Sequence, residues 1–97
     1  MARLFTIITE FRGTTIVSQV TALDEYDAVR AWAGRLRTER PFGHASSYLA
    51  KSAEADLASL PPAAISGVAN VWCVTGRCAG DFMLANIVET ARPTNVR

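Results

Sequence analysis

The chain reads as an α+β domain of two layers: a four-stranded antiparallel sheet built from two hairpins, with two helices on one of its faces, in the order ββααββ. Three observations predict this. Apolar and polar residues alternate with period two through FTIITEF and TTIVSQV on either side of a glycine. A helical stripe follows in LDEYDAVRAWAGRL. A second β-rich segment, VWCVT to DFMLANIVET, comes after the connector PPAAISG. Strands at both ends and helices between them are best buried by one helical layer on one sheet.

In the first strand Phe5, Ile7 and Phe11 share one side of the pleat, with Thr9 as the polar exception, while Thr6, Ile8 and Glu10 take the other. A two-residue turn at Gly13-Thr14, with glycine first as a type II′ turn requires, sets Thr9 opposite Ser18 and Phe11 opposite Ile16. A turn at Arg12-Gly13 keeps the faces but sets Thr9 against Ile16 and Ser18 against Ile7. Matching the two polar residues across the strands favours the first register.

Asp24 is a good N-cap for the first helix, with Glu25 and Asp27 in the turn where carboxylates complement the helix dipole. Val29, Trp32, Ala33 and Leu36 follow the i, i+3, i+4, i+7 spacing and form a stripe to cover Phe5, Ile7 and Phe11. Pro41 ends the helix near Arg40. PFGHASS reads as a loop, and Ser46 or Ser47 caps a second helix, YLAKSAEADLASL, that stops before Pro61-Pro62. In the second hairpin a turn at Gly76-Arg77 sets Val74 opposite Ala79 and Trp72 opposite Asp81. Both of its faces are apolar: Val71, Phe82 and Leu84 on one, Trp72, Val74, Met83 and Ile87 on the other. Such strands are central in a sheet or lie against a second copy.

At 97 residues, 49% of them hydrophobic, the chain can bury a core without metal or multiple disulfides. Residues 1–92 are expected to form one domain and 93–97 a polar, frayed tail. A formal charge of +1 lacks the electrostatic footprint of a dedicated nucleic-acid or membrane-surface protein. The N-terminal segment has no uninterrupted apolar core of a signal peptide, and no run approaches the roughly 18 apolar residues of a membrane span, so a cytoplasmic protein is expected.

Chemistry-bearing residues are sparse. His44 lies beside Ser46 and Ser47, and a catalytic reading would use it as a general base with Cys78 or a serine as nucleophile. A solvated loop histidine beside helix-capping serines is the plainer reading. Cys73 and Cys78 lack Cys-x-x-Cys spacing and one histidine cannot complete a zinc site, so neither metal nor cofactor is expected. Arg30, Arg35, Arg37 and Arg40 form a basic cluster that could grip phosphates, or simply the solvated face of a helix balanced by Glu25, Asp27 and Glu39. The open sheet face, with Ile8, Val17, Trp72 and Met83 as interface candidates, points to a non-enzymatic binding or assembly protein that forms a homodimer or meets a protein partner. The alternative is a small enzyme or ligand-binding domain with its site near His44, between loop and sheet.

Overall fold

The computed structural model describes residues 2–91, and the tail expected at 93–97 lies outside the described residues. The α+β class is as expected, with one strand more than the four anticipated. In chain order the elements are β1 (Arg3–Phe11), β2 (Thr14–Ala22), α1 (Glu25–Glu39), α2 (Ala45–Asp56), β3 (Ala63–Ala64), β4 (Val71–Cys78) and β5 (Asp81–Thr90). The sheet is wholly antiparallel in the order β2-β1-β5-β4-β3. The additional strand lies in the supposed connector: Ala63 and Ala64 pair with Cys73 and Trp72.

Both hairpins turn where glycine takes the second central position. Arg12 and Gly13 have φ of 51° and 76°, and Ala79 and Gly80 have 54° and 85°. Two successive positive φ values are those of a type I′ turn, whose twist matches the strands it joins. The first register is therefore the one with Thr9 opposite Ile16 and Ser18 opposite Ile7, not the one favoured by polar matching. In the second hairpin Trp72 lies opposite Ile87 and Val74 opposite Ala85, replacing the expected Trp72–Asp81 and Val74–Ala79 pairs. Apart from Cys78 and Asp81 beside the turn, the inner-face partners here carry no polar side chain. Gly76 is a strand residue, and a Cβ there would come 3.1 Å from Met83 Cε.

The two hairpins join through β1 and β5, so the strands nearest the two chain ends form the middle of the sheet. Ile7 faces Ile87 and Thr9 faces Ala85. The pairing is pinned by Arg3 Nη1 on Glu89 Oε1 at 3.2 Å, Arg12 Nε on Asp81 Oδ2 at 2.6 Å, and the Thr6 and Thr90 hydroxyls 2.6 Å apart.

Asp24 caps α1 by accepting the Asp27 N–H at 2.8 Å, while Asp27 Oδ2 accepts the Leu23 N–H at 3.0 Å. The arrangement resembles a capping box, except that the second acceptor takes the N–H of the residue before the cap and not that of the cap itself. The helix closes at Arg40, in the left-handed region, whose N–H returns to Leu36 O. Buried Val29, Trp32, Ala33 and Leu36 are the expected stripe, joined by Ala28. They cover Phe5, Ile7 and Phe11, all fully buried.

The second helix begins and ends earlier than the sequence implies. His44, not a serine, is its N-cap residue, without a side-chain capping bond. Ser46 is buried in the first turn, its Oγ accepting the Phe42 N–H at 2.9 Å. Leu49, Ala50 and Ala53 bury against the core, and α2 packs on α1 and β4. Both helices thus lie on the sheet face made by Phe5, Ile7, Thr9, Phe11, Val74, Met83, Ala85 and Ile87.

Candidate functional site

The second sheet face is the largest feature left without a role. Strand alternation places on it Leu4, Ile8 and Glu10 of β1, Val17 of β2, Leu84 and Val88 of β5, and Val71 and Cys73 of β4. Every residue on it keeps some exposure, and Val17 and Phe82 are 63% and 52% exposed. One row across the sheet reads Val17, Ile8, Asn86, Cys73, Ala63, and the next reads Gln19, Thr6, Val88, Val71. At the margins Gln19 Nε2 donates to Thr6 Oγ1 at 2.9 Å, and the Arg77 guanidinium lies 5.6 Å over the Phe82 ring. The face is largely apolar, with Thr6 and Asn86 as polar side chains on its two middle strands.

Of the four interface candidates, Ile8 and Val17 are on this face and the other two are not. Met83 is 1% exposed beneath α2, against Gly76. Trp72 points to the helical side, its ring 6.1 Å from Phe5. Alternation had already separated Trp72 and Met83 from Phe82 and Leu84; the error lay in which set turned outward. Val71 and Leu84, which alternation had grouped with Phe82, belong to the surface, and Val88 joins them opposite Val71.

His44 stands exposed at the start of α2, its Nδ1 3.0 Å from Arg40 Nη2. A guanidinium carries only donors, so Nδ1 accepts. The histidine's neighbour is a cation instead of the orienting carboxylate that general-base chemistry uses. The Ser46 hydroxyl is occupied by Phe42. Cys78 lies at the end of β4 in a cleft under α2, and Cys73 lies on the open face; both are free thiols.

The arginines do not act as one patch. Arg35 donates to Glu39 Oε2 through Nε and Nη2, at 2.9 and 2.7 Å, and through Nη1 to Gln19 O. Arg37 makes a two-pronged ion pair with Glu54, Nη1 to Oε2 at 2.8 Å and Nη2 to Oε1, which joins α1 to α2. This hydrogen-bonded pairing holds the Glu54 carboxyl below its ordinary range despite slight desolvation, with the charges of Arg37 and Arg30 adding to it. Arg30 lies with Glu54 and Tyr26 along the groove between the helices. Among the described residues, no three His, Cys, Asp or Glu side chains gather as metal ligands, and no helix is long and apolar enough to cross a membrane.

The chain matches no protein-family model, no curated protein and no solved structure. Its site is therefore read from geometry alone. A cleft of about 650 Å³ lies between α2 and the end of β4, with Tyr48, Lys51, Asp56 and Cys78 among its lining residues. Sequence reasoning missed it because α2 and β4 are joined by a long connection and no local pattern places Lys51 near Arg77.

Proposed function

We propose that the protein is a non-enzymatic binding module that forms a homodimer by packing the open sheet faces of two copies together. The observation that carries this reading is the set of uncovered apolar side chains Leu4, Ile8, Val17, Val71, Leu84 and Val88 on a sheet whose other face carries both helices. Four strands about 4.8 Å apart and about 3.3 Å long per residue make a face of roughly 20 by 28 Å. Its projected area, about 560 Å², is close to the roughly 600 Å² per partner at the small end of standard interfaces, before side-chain relief is counted. A two-fold axis through the face lets the same patch serve both copies, the commonest symmetry of soluble oligomers.

The enzymatic alternative has less to support it, since His44 is paired with Arg40 and the buried Ser46 hydroxyl with a backbone N–H. Light scattering is the direct test. Twice the chain mass is expected for the wild type, and the monomer mass for Val17→Glu with an unchanged far-ultraviolet spectrum, because Val17 is 63% exposed and contributes little to the core. A wild-type protein that stays monomeric at every concentration retires the reading.

A further inference from the structure

The two edges of the sheet are not equivalent. At the β2 edge, the outward carbonyl of Gln19 is taken by Arg35 Nη1 from α1, so a charged side chain lies along the strand. At the other edge, β3 covers only Cys73 and Trp72. The chain leaves the edge there because the residues preceding Ala63 are Pro61 and Pro62, which have no N–H to offer a ladder.

The hairpin fixes which backbone groups are left. In a two-residue turn the flanking pair, Cys78 and Asp81, exchanges both hydrogen bonds, so Cys78, Gly76, Val74 and Trp72 bond toward β5. Thr75 and Arg77 then direct N–H and C=O away from the sheet. Among the described residues neither meets a hydrogen-bond partner there. Both residues are exposed, and a row of outward N–H and C=O groups on a strand edge is a template for one more strand.

The edge is also the floor of a groove. A depression of about 290 Å³ bounded by Ser52, Asp56, Leu60, Thr75, Arg77 and Phe82 adjoins the 650 Å³ cleft that runs on past Lys51 to Cys78. Leu60 and Phe82 are apolar and exposed, at 64% and 52%. Lys51 and Arg77 have no carboxylate partner among the described residues, whereas Arg3, Arg12, Arg35 and Arg37 each have one. Asp56 is the single acid of the groove, so its balance is one positive charge.

From this we infer that the groove between α2 and the free half of β4 binds an extended acidic peptide segment, which adds as a strand against Thr75 and Arg77. Main-chain hydrogen bonds to these two residues hold the peptide, and side chains on alternate faces select it. Lys51 on the helical side and Arg77 on the open side of the added strand each receive a carboxylate, while Leu60 and Phe82 receive apolar residues. Charge decides against a second copy as the occupant: β4 paired with β4 across a two-fold axis would bring two Arg77 and two Lys51 side chains together.

The test titrates the full chain with an acetylated hexapeptide of two central glutamates flanked by pairs of valines, so that one glutamate falls on each face of the added strand, followed by amide nuclear magnetic resonance. Shifts at the Thr75 and Arg77 amides are expected, with a dissociation constant of about 1 mM or tighter and slowed hydrogen exchange at both sites. Arg77→Glu and Lys51→Glu should each weaken binding about tenfold, the scale of one charge-assisted hydrogen bond. Thr75→Pro, which removes an outward N–H at a strand edge where proline is tolerated, should abolish it with the remaining spectrum retained. Equal binding of the valine-lysine peptide overturns the inference. So do shifts confined to the β2 edge, saturating peptide without effect on Thr75 and Arg77, or concentration-dependent protection of these two amides from hydrogen exchange in peptide-free Val17→Glu protein, which would mean that a second copy occupies the edge.

Discussion

Thr9 is where the competing demands on a single side chain are clearest. It is 1% exposed on the core face of β1, between Ile16 and Ala85, and among the described residues its Oγ1 meets no hydrogen-bond partner. Ser18, the polar residue that could have faced it, is displaced by one pair because the turn at Arg12-Gly13 takes the type I′ geometry. A buried hydroxyl without a partner costs about 1–3 kcal/mol. Thr9→Val keeps the shape and removes the hydroxyl, so it should raise stability by about 1 kcal/mol, read as a higher urea midpoint with an unchanged slope. A midpoint that falls would mean that Oγ1 has a water partner. The same residue shows why the register was misread. A polar pair is worth a few tenths of a kcal/mol to about 1 kcal/mol, and the turn twist that joins two nine-residue strands outweighs it. In the second hairpin the sequence did hold a usable signal: placing Trp72 opposite Asp81 was a poor pairing, and the Ala79-Gly80 turn removes it.

At the scale of elements, α1 was fully legible and α2 only in outline. Asp24, Asp27 and the Val29–Leu36 stripe are local features, and each acts within one helical turn of its neighbours. The start of α2 depends instead on Phe42, which packs edge-on to Phe11 at 5.4 Å and draws Ser46 back to its own N–H. That contact is long-range, so the serines looked like caps. The helices are joined by Arg37 and Glu54, and this pair makes stability depend on pH. Because the Glu54 carboxyl is held below its ordinary range in the folded chain, the pair contributes in full above the usual glutamate pKa of about 4.3. The contribution is lost as pH falls through the lower folded value. Denaturation of wild type and Glu54→Gln should therefore show the wild type more stable at neutral pH, with the gap narrowing in acid and closing once Glu54 is protonated in both states. Arg37, raised above its already high ordinary value by the same hydrogen bond, stays charged throughout that window. A gap that is constant down to the most acidic folded condition would assign the effect to packing of the glutamate stem.

At the scale of the molecule, the pairing of β1 with β5 could not be read from any local pattern, because its partners come from opposite ends of the chain and the edge of one hairpin looks much like that of the other. What the sequence did carry was the surplus of apolar residues: more alternating faces than two helices can cover. The molecule is correspondingly thin, 23 Å along its shortest axis, with one sheet face covered and one open. Two such faces pack at about 10 Å separation with strands roughly 30° apart, the arrangement twisted sheets favour. If the native state is the proposed dimer, unfolding releases two chains and its midpoint must depend on protein concentration. Each tenfold increase raises the apparent unfolding free energy by about 1.4 kcal/mol per dimer, or about 3–6 °C in melting temperature for an assembly of this size. The wild type should show this shift and Val17→Glu should not, since a glutamate on this face puts a charge into the apolar contact between copies while leaving each core intact. Melting that is independent of concentration in the wild type would place all of the stability within one chain and leave the apolar face to a different partner.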